Sequence, residues 1–250
     1  MTVMNWRYIV GKSFSEFCHS VLSSQIMPLT RVIPVGISYP YDIKRFFRGN
    51  KIKTIFDAGA NVGQTSLFLN RYFPQANIYA FEPIKTTYET LKNHAVNFNN
   101  IKTYNYAFGS EECQKTIRIR ENSELNTLVD SSNQSFAQNE SLEQVKITTI
   151  DNFCHHNHIN NIDILKMDVQ GYELEVLNGA DNYLKNNLVK IIYSEIGFDK
   201  SNQECQSFED LYLFLTKRNF RFSGFYEFFR WGENKRYFGF CNALFVNFNL

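Results

Sequence analysis

The 250-residue chain has no apolar run near the roughly 20 residues that a membrane-spanning helix needs. Its first residues carry no apolar core of the kind a secretory leader has. Neither sign of charge is in excess. Against 26 Lys and Arg stand 25 Asp and Glu, and the formal net charge of +1 excludes a global pull toward nucleic acid or an anionic membrane. The five cysteines (Cys18, Cys113, Cys154, Cys205, Cys241) form no C-x-x-C pair and are odd in number, so they read as reduced thiols of a cytoplasmic protein. Nothing repeats at a fixed period. What is present is a folded chain of single-domain size: 44% hydrophobic residues, with 24 Phe and 14 Tyr, supply a large core.

The organising stretch is Thr54-Ile-Phe-Asp57-Ala-Gly59-Ala-Asn61-Val-Gly63. A short β-branched and aromatic run reaches an acid and then a loop with two glycines. Beyond it Leu67, Phe68 and Tyr72 share a helical face that Pro74 ends. This predicts strand, tight turn and helix, the first βα unit of a nucleotide-binding α/β sheet. A second strand, Asn77–Phe81, ends in Glu82-Pro83, with Glu82 19 residues past Gly63, where such folds grip ribose hydroxyls.

The run lacks the middle glycine of G-x-G-x-x-G, because Asn61 stands there. Asp57 would also repel a pyrophosphate. S-adenosyl-L-methionine has no phosphate; its ammonium and sulfonium would be attracted by Asp57, and its carboxylate suits backbone N–H groups and a helix N-terminus. A dinucleotide-dependent oxidoreductase and a catalytically silent scaffold of the same fold are the alternatives. A purely structural turn would leave both acids unexplained.

Residues 1–50 read as an arm ahead of a domain spanning 51–250. Ser13 caps a helix with Phe14, Phe17, Cys18, Val21 and Leu22 on one face. Pro28, Pro34 and Pro40 then punctuate an extended connection ending near Arg48-Gly49. The arm serves either as a lid or dimer contact, or as a helix docked on the sheet edge. After Glu82 comes a helix bearing Ile84, Tyr88, Leu91, Ala95 and Phe98, then a third strand over Ile101–Phe108 that closes near Asn105 and Gly109. Adenine would lie at that strand's end, which makes Asn105 a cofactor-binding candidate. Thr116–Arg120 alternates like a strand. Glu121–Gln144 is a long polar loop, either solvated surface or an acceptor-binding lid.

Val145–Ile150 reads as a strand, with Asp151 capping the next helix. Cys154-His155-His156-Asn157-His158 invites a zinc reading, but it precedes the strand Ile162–Met167 and so falls at the edge of the sheet away from ligands. That strand carries Lys166 and delivers Asp168 on the same side by its period of two, then turns at Gly171 toward Glu173. A lysine in an apolar strand needs a partner, and Asp168 or Glu195 is available. Val189–Ile196 brings Glu195 to the same rim. Ser207-x-x-Asp210 opens a last helix with Asn219 at its exit, and Phe220–Trp231 with Tyr237–Phe248 read as a hairpin around Gly232.

Together DAGANVG, AFEP, the Asn105–Gly109 turn, TTID and LKMDVQGYE…NGA resemble the FkbM-like family of S-adenosylmethionine-dependent methyltransferases over roughly Thr54–Gly197. The resemblance implies an α/β fold with the seven-stranded class I methyltransferase (Rossmann-like) sheet, order 3-2-1-4-5-7-6, helices on both faces and the last-placed strand antiparallel. It also implies O-methylation of a hydroxyl, often on a sugar or natural product. Asp57, Gly59, Asn61, Gly63 and Glu82 match its cofactor motifs, and Lys166, Asp168, Gly171 and Glu173 match its second signature. The chemistry expected is in-line displacement, with Asp168 as first candidate for the base, Glu195 second, and Lys166 orienting one of them. A divalent metal at Asp168 and Glu195 is disfavoured because Lys166 would be repelled by it. A nucleic-acid acceptor is disfavoured too, since there is neither basic excess nor an Asn/Asp-Pro-Pro-aromatic loop. A small-molecule or glycan acceptor remains, and its identity is not written in the sequence.

Overall fold

A computed structural model describes residues 34–119, 141–199, 202 and 205–250. The expected helix after Ser13 lies outside these residues, as does most of the Glu121–Gln144 loop. The described elements run α1 (Tyr39–Phe46), β1 (Thr54–Ala58), α2 (Gln64–Tyr72), β2 (Asn77–Phe81), α3 (Lys85–Ala95) and β3 (Ile101–Tyr104). They continue with β4 (Ala107–Phe108), β5 (Cys113–Ile119), β6 (Ser141–Thr148), α4 (Ile150–His156), β7 (Ile162–Met167) and α5 (Glu173–Asn178). The last are α6 (Asp181–Lys185), β8 (Val189–Gly197), α7 (Phe208–Thr216), β9 (Phe220–Tyr226), β10 (Arg230–Trp231), β11 (Tyr237–Phe238) and β12 (Phe240–Asn247).

Seven strands form one sheet in the order β3-β2-β1-β7-β8-β12-β9. The first five are parallel, and β12 runs antiparallel to both neighbours. Successive residues feed opposite faces, as the strand period requires. Ile55, Ile78, Ile164 and Ile191 enter one hydrophobic cluster, while Phe56, Tyr79, Leu165 and Ile192 enter the other. All six residues of β7 are buried, as expected of a central parallel strand covered on both sides. A smaller sheet, β4-β6-β5, stands beside it.

Three expectations change. The connection before Gly49 is not extended throughout, because Tyr39–Phe46 forms α1 with Pro40 in its first turn, where the missing N–H is not needed. Tyr39, Tyr41, Ile43 and Phe47 pack in one cluster with Ile55, Leu69 and Ile191. Residues 141–144, placed in the polar loop from sequence, belong to β6, where they pair with Thr116–Ile119 of β5. Asp151 does not cap its own helix. Thr149 does, accepting from Asn152 N at 3.0 Å. Asp151 instead accepts from Asn182 N at 2.9 Å and Tyr183 N at 3.2 Å, and so holds the start of α6.

The aromatic hairpin lies inside the fold. β9 and β12 are two of the seven strands, β12 wedged between β8 and β9, and β10 with β11 extends the pair as a separate ribbon. Among the described residues no helix is long and apolar enough to cross a membrane.

Candidate active site

The turn after β1 is shaped by backbone crowding. Gly59 N and Ala60 N both donate to Phe81 O, at 3.1 and 2.9 Å, which folds the loop back over the end of β2. Gly59 has φ +73°, and a Cβ there would stand 1.9 Å from the carbonyl oxygen of Asp168, so no side chain fits where β1 and β7 end together. Asn61 (φ 48°) takes the left-handed conformation that its residue type tolerates and donates its N–H to Glu82 Oε2 at 3.1 Å. Gly63 (φ +95°) starts α2 against Leu91 of α3.

Lys166 pairs with Asp168, one of its two expected partners, but lies closer to Asp57. Its Nζ lies 3.0 Å from Asp57 Oδ1, 3.7 Å from Asp168 Oδ2 and 3.2 Å from Gly59 O. The registers Asp57↔Lys166 and Lys166↔Tyr193 show why: strand pairing places Asp57 directly beside it. Burial works against the ammonium, but Asp57 and Asp168 outweigh it and hold its pKa above the ordinary lysine value. Asp57 has no exposed surface, and its Oδ2 also accepts from Ser66 Oγ at 2.6 Å. It therefore stands beneath the loop and off the cavity wall.

Three glutamates around this rim carry raised pKa values. Glu82 is 6% exposed, with Oε2 on Asn61 N and Oε1 on Ile84 N. Burial lifts its pKa to about 7 against the pull of those two N–H groups. Glu195 is lifted to about 8 by burial and by the neighbouring Asp168 and Glu173, with Lys166 opposing. Buried Glu173 is raised to about 7, chiefly by burial. Its Oε1 accepts from Val169 N at 3.0 Å, clamping the turn that follows Asp168. Asp168 itself is more open, its side chain 37% exposed, with Gln170 Nε2 3.2 Å from Oδ1.

A cavity of about 830 Å³ runs along this rim. Gly59, Asn61, Glu82, Lys166, Asp168 and Glu195 line it. Asp57, Gly63 and Asn105 are not on its wall. Asn105 sits behind it, where Nδ2 donates to Glu82 O at 2.9 Å and Pro83 O at 2.8 Å and braces the turn carrying the acid. Sequence reasoning missed Ser66, Tyr39, Glu227, Phe229, Phe240 and Asn242. Ser66 follows Gly63 by one helical turn and was open to detection as a partner of Asp57. The others reach the cavity through long-range contacts, Tyr39 by packing on Tyr193 and the rest by the pairing around β9 and β12, which no local signal announces. The histidines near the end of α4 precede β7 and so lie at the opposite edge of the sheet. Among the described residues no group of three or more His, Cys, Asp or Glu is arranged to hold a metal ion.

A sheet of this order, with a glycine turn after its first strand and an acid at the end of its second, is that of the class I methyltransferases. The chain belongs to the FkbM methyltransferase family: the model for the methyltransferase FkbM domain matches residues 57–222. It is 28% identical over 145 residues to "Methyltransferase 1" of Beauveria bassiana (strain ARSEF 2860), covering 51% of this chain and 58% of that protein. It is 27% identical over 208 residues to "Methyltransferase sdnD" of Sordaria araneosa, covering 66% of this chain and 80% of the relative. The crystal structure of methyltransferase FkbM from Methylobacillus flagellatus KT has the same fold, with a TM-score of 0.50 at 14% identity. That superposition covers 78% of this chain and 43% of the other. The chain thus spans little more than half of the first relative and less than half of the solved structure.

Proposed function

We propose that the chain is an S-adenosylmethionine-dependent O-methyltransferase that moves a methyl group to a hydroxyl of a small-molecule or glycan acceptor. The observation that carries this reading is Glu82. It is a buried carboxylate on the cavity wall beside the glycine turn, with one backbone N–H on each oxygen. Each oxygen keeps a lone pair, so the group can still accept from two neighbouring hydroxyls, as a ribose presents them. Asn61 adds to the fit, because its Oδ1 is buried on the same wall without a hydrogen-bond partner among the described residues. Gly59, Asn61 and Glu82 would hold the cofactor, with Gly63 shaping the loop, Asn105 bracing Glu82, and Asp57 contributing its charge from beneath. A pyrophosphate suits these acids poorly.

When bound, S-adenosylmethionine supplies an electrophilic methyl group on its sulfonium. The remaining work falls to the chain. The acceptor oxygen must shed a proton, and Asp168, open to the cavity, is the group that meets it. Glu195 occupies the neighbouring strand end, and its charge interacts with that of Asp168. With a pKa of about 8, Glu195 already holds its own proton at neutral pH, so within the pair the released proton goes to Asp168. Lys166, anchored on Asp57, keeps Asp168 in place. The four described cysteines are free thiols, and on that ground we place the protein in the reducing cytoplasm.

Calorimetry with S-adenosylhomocysteine tests the cofactor assignment. Glu82→Gln keeps one carbonyl acceptor for the loop but loses the charge, and we expect affinity to fall at least tenfold, about 1.5–3 kcal/mol for a charged hydrogen bond. NAD should give no heat of binding. Unchanged affinity in the variant would remove Glu82 from the cofactor site.

A further inference from the structure

The cavity has two halves. One lies over β2 and β1 and holds Glu82 and the glycine turn. The other lies over β8, β12 and β9, where the register sets Asn242 between Glu195 on one side and Tyr226 on the other. The residue after Tyr226 is Glu227, which follows β9 in the left-handed conformation at φ 53°. A glutamate has no intrinsic preference for that conformation, so its surroundings must impose it. Tyr226 OH donates to buried Asp42 of α1 at 2.8 Å, pinning the end of the strand. Tyr193 OH at 2.7 Å and Asn242 Nδ2 at 2.9 Å both donate to Glu227 Oε2. Tyr193 is fixed in turn by stacking on Tyr39, ring centroids 4.1 Å apart. Both described hydrogen bonds to Glu227 thus end on one oxygen, which leaves Oε1 as an acceptor.

Beside this carboxylate, Phe229 and Phe240 stack at 4.6 Å and 15° and also line the cavity. An apolar aromatic surface next to a few fixed polar groups is the usual make-up of a small-molecule site. The charge balance narrows the occupant. Asp168, Glu195 and Glu227 stand on this wall, and among the described residues Lys166 is the cation that lines the cavity, already paired with Asp57. An anion placed here would meet the carboxylates of Asp168 and Glu227, with no free cation among the described residues to offset them.

We infer that Glu227 is the acceptor-orienting residue, and that this half of the cavity takes an uncharged, hydroxyl-rich ring and rejects phosphorylated or carboxylated acceptors. The inference rests on the methyltransferase reading above and deepens it. A hydroxyl of the ring donates to Glu227 Oε1, and Asn242 offers its amide to a second. The ring's apolar face lies on the Phe229–Phe240 pair, and another hydroxyl is presented to Asp168.

The test uses labelled-methyl transfer to 4-nitrophenyl glycosides of several sugars, each beside its phosphate monoester, with S-adenosylhomocysteine calorimetry in parallel. We expect label in uncharged members only. Glu227→Gln should raise the acceptor KM at least tenfold, leave kcat within about threefold, and leave cofactor-product affinity and melting temperature unchanged. It should also narrow the preference for the glycoside over its phosphate by at least tenfold. Label entering a phosphorylated member at a comparable rate overturns the inference. So does a Glu227→Gln variant with unchanged KM and preference, or one that only lowers the melting temperature. Label entering no uncharged member, while S-adenosylhomocysteine still binds, overturns the acceptor class and leaves the cofactor site standing. Failure of S-adenosylhomocysteine to bind would instead remove the methyltransferase reading itself.

Discussion

The half of the rim over β2, β1 and β7 is held by buried charge and crowded backbone, whereas the half over β8, β12 and β9 is held by hydrogen bonds around an exposed carboxylate. In the first, Asp57, Lys166 and Glu82 are at most 6% exposed, and Gly59 leaves no room for a side chain. In the second, Glu227 and Phe229 are exposed and Phe240, stacked on Phe229, is half-buried. A site that must hold one unchanging cofactor can be built rigidly, and a site for a variable acceptor can be built on strand ends and loops. Mutations should therefore unfold the first half and retune the second.

Asp168 stands at the junction, and its replacement should give the largest effect. Asp168→Asn is expected to lower kcat by roughly 10²–10⁴ with S-adenosylhomocysteine affinity preserved. Activity should survive prolonged treatment with EDTA. If EDTA abolishes turnover and magnesium or manganese restores it, Asp168 is a metal ligand and the proposed proton transfer to it fails.

The contrast between the halves is sharpest in stability. Lys166→Met leaves Asp57 buried without a counter-charge, and breaking such a pair costs about 3–5 kcal/mol. Glu227→Gln should stay within about 0.5 kcal/mol, as exposed substitutions do. Urea unfolding of the two variants measures the difference directly. A Lys166→Met loss below about 1 kcal/mol would mean that the two halves are not built differently. Adding Asp57→Asn to Lys166→Met should recover part of the loss, since the orphaned charge is then gone.

The same contrast explains what could be read from the sequence. Gly59, Asn61 and Glu82 were legible because a tight βα turn and the acid of the next strand sit at fixed local offsets. The sheet was legible because buried parallel strands announce themselves as apolar runs between turn residues. Lys166 was recognised as needing a carboxylate, with Asp168 or Glu195 as candidates, and only strand register shows that Asp57 lies closer. Glu227 carried no signal at all. Its role depends on Tyr193 and Asn242, from two other strands, and on a left-handed backbone conformation that a glutamate does not advertise.

Glu173 offers a smaller effect that separates buried charge from catalysis. It lies under the turn between the halves, with Oε1 on Val169 N and Oε2 buried without a hydrogen-bond partner among the described residues. Its pKa is raised from 4.5 to about 7 by burial, and those of Glu82 and Glu195 are raised to about 7 and about 8. In the unfolded chain all three lose their protons near the ordinary value; in the folded chain they keep them to higher pH. Their contribution to stability is therefore fully present below about pH 4.5 and is lost as pH rises through about 7 to 8. Urea midpoints of the ligand-free protein should fall between pH 5 and pH 8. Glu173→Gln should flatten that fall by on the order of 2 kcal/mol, because an amide does not titrate. An identical slope in the variant would show that Glu173 is already ionised in the folded protein, and that the turn carrying Asp168 rests on a buried charge instead of a buried acid.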